Sequence, residues 1–154
     1  MRLNNRNKAG YFQFLSILVL MVLVGGIVLY FIDRSNEHLN LGSVLLLIIP
    51  LFFALVFYLR GSQIFEYDSD GEALNFRNKN VVFFLNKAKS DEFPKYKMLN
   101  YEIVNMLLFK RLYVTISSKK SKSIILKYDI SYLSRKEVAD LKSSLKKVLR
   151  KNNE

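Results

Sequence analysis

Charge is the densest chemical signal in this chain, and most of it is positive. Over 154 residues Lys and Arg give a formal net charge of +11. From Arg60 onward there are twenty basic and eleven acidic residues. Lys119, Lys120 and Lys122 form one tight group, with Lys110 and Arg111 shortly before it. Lys142, Lys146, Lys147 and Arg150 line the C-terminal segment. Ammonium and guanidinium groups at this density suit anionic lipid headgroups or an unidentified protein partner. A basic side chain that reaches an anionic leaflet gains about 1 kcal/mol. Nucleic acid is not an expected partner.

The residue types that catalysis and metal binding need are scarce. The chain has no cysteine, which excludes disulfides, thiolate chemistry and cysteine metal sites. His38 is the single histidine, and it falls in a short loop with no second ligand beside it. A Ser/His/Asp set is therefore impossible in the C-terminal part. Asp68-Ser69-Asp70-Gly71-Glu72 resembles a calcium loop only in its first positions, because the distant bidentate Glu is missing. Turn chemistry explains it better. The six glycines are scattered, so no phosphate-cradling loop forms. The expectation is a protein that is not an enzyme, with no cofactor and no metal ligands.

Two elements set where these charges lie. Tyr11–Ile32 and Leu41–Leu59 carry no charged residue, and each rises about 30 Å as a helix, the thickness of a bilayer's hydrocarbon core. They predict a two-helix transmembrane hairpin (11–32 and 41–59) within an N-terminal region 1–60. Tyr11, Tyr30, Phe31 and Tyr58 sit at its ends, where aromatic rings favour the interface. Gly25-Gly26 permits close helix packing, and Pro50 predicts a bend in the second helix. Arg2, Arg6 and Lys8 precede the hairpin and the loop Asp33–Asn40 is slightly acidic. The positive-inside rule then places both termini in the cytoplasm of a bacterial plasma (inner) membrane, as a multi-pass protein. The first run is too long for a signal-peptide core and no small-residue cleavage site follows it, so it is read as retained.

Residues 61–154 read as one small domain. Gln63–Asp68 and Glu72–Arg77 alternate around a Ser69-Asp70-Gly71 turn, a hairpin pattern. Val81–Leu85, Tyr96–Leu99, Tyr101–Leu108, Leu112–Ser117 and Ser123–Tyr128 follow as strands. Asn86–Lys95, polar and containing Pro94, reads as a loop, and Ser118–Lys122 as a basic turn. A final helix starts at a capping box, Ser134 with Glu137, stapled by Leu133 and Val138. Its apolar stripe is Val138, Leu141, Leu145, Val148 and Leu149.

The first hairpin QIFEYDSDGEALNF, the central Leu99-Asn100-Tyr101-Glu102-Ile103, the pair LYVTI and SIILKY, and the final helix together resemble a pleckstrin-homology-like (PH-like) domain. More narrowly, the chain resembles small bacterial membrane proteins with two N-terminal helices and a PH-like module. The resemblance implies an α+β, mainly β fold: six or seven antiparallel strands closed by a C-terminal amphipathic helix. Asp68, Asp70 and Glu72 in the first hairpin loop depart from the basic loop of phosphoinositide-binding members. The expected function is a non-enzymatic, membrane-anchored interaction or scaffold module that regulates a membrane complex. The alternatives are a ligand-gated membrane effector of bacterial defence with a nucleotide-sensing β domain, and an accessory subunit of a transporter.

Overall fold

In the computed structural model, residues 1–35, 41–81, 88–118 and 122–153 are described. They form two units: Met1–Ala9 together with Arg60–Glu154, and Gly10–Leu59. The first is a β unit. Strands β1 (Arg2–Asn4), β2 (Ile64–Asp68), β3 (Ala73–Lys79) and β4 (Lys89–Pro94) make a four-stranded sheet in that order. Strands β5 (Met98–Asn105), β6 (Lys110–Ser118) and β7 (Lys122–Asp129) make a three-stranded meander. All pairings are antiparallel.

Both sheets follow from alternation. In β3, Leu74, Phe76 and Asn78 turn inward while Arg77 and Lys79 face water. In β6, Leu112 and Val114 do the same. The core joins the sheets through aromatic rings. Phe76 of β3 stacks on Tyr128 of β7 at 4.8 Å and on Phe93 of β4 at 5.7 Å. The Tyr128 hydroxyl donates to Asp91 Oδ2 at 2.8 Å, and burial followed by that carboxylate pushes its pKa far up. Helix α3 (Arg135–Asn153) adds Leu141, Leu145 and Val148 to the same cluster, with Val138 and Leu149 packed at its margin. The capping box forms in both directions: Glu137 N–H donates to Ser134 Oγ at 3.2 Å, and Ser134 N–H donates to Glu137 Oε2 at 2.6 Å.

The β architecture corrects the PH-like expectation. The two sheets are open and separate, not a closed barrel capped by a helix. Pro94 ends β4, since it has no N–H to extend the ladder, and a short turn at Lys95–Lys97 hands the chain to the second sheet. Lys89–Pro94 itself is a strand, not part of a loop. It lies at the edge of its sheet, where polar residues and a terminal proline are tolerated. The opposite edge is held by β1, which lies ahead of the first apolar helix and had no counterpart in the expected strand set. Its lock is Asn5, fully buried. Asn5 Nδ2 donates to the Gln63 carbonyl at 2.9 Å, and Phe65 N–H donates to Asn5 Oδ1 at 2.8 Å.

The second unit holds most of α1 (Ala9–Ser35) and all of α2 (Leu41–Leu59). Here the two-helix transmembrane hairpin is corrected. Among the described residues one helix, Arg6–Arg34, is long and apolar enough to cross a membrane, and its apolar window is almost wholly unburied. The described apolar run of α2, Val44–Leu59, falls short of that length. The multi-pass placement in a bacterial inner membrane with both termini cytoplasmic falls with it. Pro50 lies inside α2 as read from the sequence. Of the two adjacent glycines, Gly26 is the packing position: a Cβ there would run into the Leu46 carbonyl oxygen, whereas one at Gly25 would meet nothing.

Several expectations fall outside the described residues: the loop Asp33–Asn40 from residue 36 on, with His38; Val81–Leu85 from residue 82 on; and Lys119 and Lys120 in the basic turn.

Candidate functional site

Strand length decides which basic residues can act together. Lys110 and Arg111 begin β6, and Lys122 begins β7 opposite Ser118 at its other end. Nine residues of strand span about 30 Å, so these two basic groups cannot form one patch. Lys122 has a left-handed backbone, φ 56°, and is exposed. Arg111 is engaged on both sides. Its guanidinium stacks over the Phe109 ring at 4.1 Å and its Nε donates to Asp129 Oδ1 at 3.4 Å.

The helical lysines divide as well. On α3, Lys142, Lys146 and Arg150 recur every four residues and are exposed, so they share one flank. That flank borders β5, since the Tyr101 hydroxyl donates to the Lys142 carbonyl at 3.3 Å. Lys147 lies on the other flank, where it lines an open cleft of about 610 Å³ with Lys95, Lys151, Asp140, Ser69 and Ser144. At its floor the Tyr67 hydroxyl and Ser144 Oγ are 3.0 Å apart, and Ser69 Oγ is 3.3 Å from Ser144 Oγ. Burial raises the Tyr67 pKa, so it stays a neutral hydrogen-bonding group. Lysines and hydroxyls around an open recess make an anion-tolerant surface. The buried side chains of the core fill the interior between the sheets.

Metal chemistry has no cluster to work with: among the described residues no three His, Cys, Asp or Glu side chains come together. Asp68 and Asp70 serve the turn. Asp70 N–H donates to Asp68 Oδ1 at 2.8 Å, and Arg2 Nε pairs with Asp68 Oδ2 at 2.9 Å.

Two features have no precedent in the sequence reading. One is the tip of the β5–β6 hairpin, where Met106, Leu107 and Leu108 are exposed. Their apolar character reads as strand in a linear sequence, and only the register Asn105↔Lys110 shows that they form a turn. The other is the joint at Arg60–Gln63. Gly61 has φ 74°, and a Cβ there would collide with the Asp129 carboxylate. Ser62 N–H donates to Asp129 Oδ2 at 3.1 Å, and Gln63 Nε2 donates to the Gly61 carbonyl at 2.9 Å. The start of this segment is thus held against β7 through Asp129. Comparison with protein-family models, with curated proteins and with solved structures finds no match to this chain.

Proposed function

We propose that this chain is a non-enzymatic, membrane-associated interaction module. Its apolar insert holds it at a bilayer, and its β unit offers basic surfaces to anionic headgroups and to a protein partner of a membrane complex. The observation that carries this reading is the long apolar helix within Arg6–Arg34, whose side chains are left unburied. An unburied helix of that composition needs an apolar solvent. The residues just before it are built into the β unit through β1 and Asn5, so removing the helix as a leader would also remove a strand and its lock. A filled core favours a module that works through its surface over a barrel that encloses a nucleotide.

Flotation of the full chain with vesicles tests it. The protein should rise with both neutral and anionic vesicles and stay with them in high salt and alkaline carbonate, because apolar burial is indifferent to screening. Recovery in the soluble fraction after either wash refutes membrane anchorage. Co-purification from gently solubilised membranes identifies the partner, and recovery of the chain alone refutes the scaffold role.

A further inference from the structure

The tip of the β5–β6 hairpin is chemically out of place for a turn in water. Met106 N–H donates to the Phe109 carbonyl at 2.9 Å and closes it. Between them Leu107 is 100% exposed, with Met106 at 55% and Leu108 at 38%. Hairpin turns favour Asn, Gly and Asp, whose backbones suit the required angles. Single exposed apolar residues are ordinary, but a run of them on a projecting tip marks a contact surface.

Its position identifies what it contacts. Lys110 N–H donates to Ser131 Oγ at 3.0 Å, and Ser131 Oγ donates to the Arg60 carbonyl at 2.8 Å. Arg60 is the residue directly after Leu59, the last residue of apolar α2. Arg60, Met106–Lys110 and Ser131 line one shared recess. A single serine therefore pins the base of the hairpin to the junction where the apolar insert joins the β unit. Arg60 and Lys110 line that recess with the apolar residues, and Arg111 covers the Phe109 ring. Apolar side chains next to cationic ones fit the lipid–water boundary, where acyl chains and phosphates meet.

We propose that the Met106–Phe109 tip dips into the bilayer interface as a lipid contact in addition to the apolar insert. This rests on the membrane reading above, and the experiment separates the two. The chain contains no tryptophan, so Leu107→Trp installs a single indole at a side chain that packs against nothing. Met106→Trp is a second probe of the same tip. Tyr96→Trp is the control: Tyr96 is 72% exposed and lies before β5, at the end away from the tip. Each full-length variant is reconstituted in phosphatidylcholine–phosphatidylglycerol vesicles, with and without brominated acyl chains. The indoles at 107 and 106 should emit at shorter wavelength and be quenched by bromine, while the indole at 96 stays water-like and unquenched. Co-flotation with unquenched, water-like emission at 106 and 107 overturns the inference and leaves the membrane reading standing. A shift to shorter wavelength without bromine quenching shows the tip covered by protein, a second copy included, and overturns it too. Failure to float overturns both.

Discussion

Asn5→Ala tests the least expected part of the fold, the incorporation of residues ahead of the apolar helix into the β unit. Asn5 is 0% exposed and satisfies two main-chain groups of the incoming β2 segment, the Gln63 carbonyl at 2.9 Å and the Phe65 N–H at 2.8 Å. Truncation removes both partners and leaves the main-chain groups buried. Each unsatisfied buried group costs about 1–3 kcal/mol, so the expected loss is about 2–5 kcal/mol. That is a large share of the roughly 5–15 kcal/mol that holds a domain together. It corresponds to a fall in melting temperature of about 4–8 °C per kcal/mol for a unit of this size. Urea unfolding of the full chain in detergent reads the loss, and amide exchange gives it an address. The Phe65 amide should lose protection well beyond its neighbours. Asn5→Asp keeps an acceptor for Phe65 but sets a carboxylate oxygen against the Gln63 carbonyl at a fully buried site, so it should cost at least as much as the alanine. Asn7→Ala, at an exposed residue in the next turn, should lie within about 0.5 kcal/mol of the parent. If Asn5→Ala behaves like Asn7→Ala, β1 does not hold the sheet edge and the reasoning fails.

Three further outcomes follow from other contacts. Burial pushes the Glu137 pKa up, but the Ser134 N–H and hydroxyl and the Lys8 ammonium at 3.2 Å outweigh it and leave it lowered. A lowered folded value means stabilisation that is complete above about pH 4.5 and lost as pH falls through the folded value. Glu137→Gln should therefore cost about 0.5–2 kcal/mol near neutrality and nothing in acid; a gap that stays constant across the titration refutes it. Leu141→Asp places a charge at a fully buried site and should cost several kcal/mol, so an unchanged unfolding midpoint shows that α3 is not packed on the core. Gly26→Val should destabilise the apolar insert by about 1–3 kcal/mol against detergent-driven unfolding, while Gly25→Val should not, and equal effects would remove the Leu46 contact as the cause.

How much of this was legible in the sequence depended on whether the signal was local. The helix α3 was fully written in it, because a capping box and a 3.6-residue apolar stripe are set by neighbours a few positions apart. The first hairpin was legible for the same reason, with Gly71 at φ 73° in its turn. Strand β4 was hidden because an edge strand needs little apolar sequence: only Phe93 of its six residues is buried. Strand β1 was hidden more deeply. Three residues, Arg2–Asn4, carry no periodicity, and they become a strand only because β2, some sixty positions on, offers an open edge. The apolar insert masked that link, since residues 1–60 read as one N-terminal region ahead of a separate domain over 61–154.

The same non-locality governs the candidate surface. Counted along the chain, Lys110, Arg111, Lys119, Lys120 and Lys122 look like one basic cluster. Folding turns the intervening residues into a strand and sends Lys110 and Lys122 to opposite ends of it. What remains near Lys110 and Arg111 is Arg60, distant in sequence and brought there by one hydroxyl, Ser131. The pairing of β1 with β2 fixes the geometry further. Because Asn4 lies opposite Glu66 in an antiparallel register, the chain leaves β1 toward the insert and enters β2 from it at the same end of the first sheet. Asn5 secures the outgoing strand and the Gly61–Asp129 contact the incoming segment, both within the β unit. The hairpin tip proposed as a lipid contact is ordered by its own sheet, so the entropic cost of ordering it was met when that sheet formed.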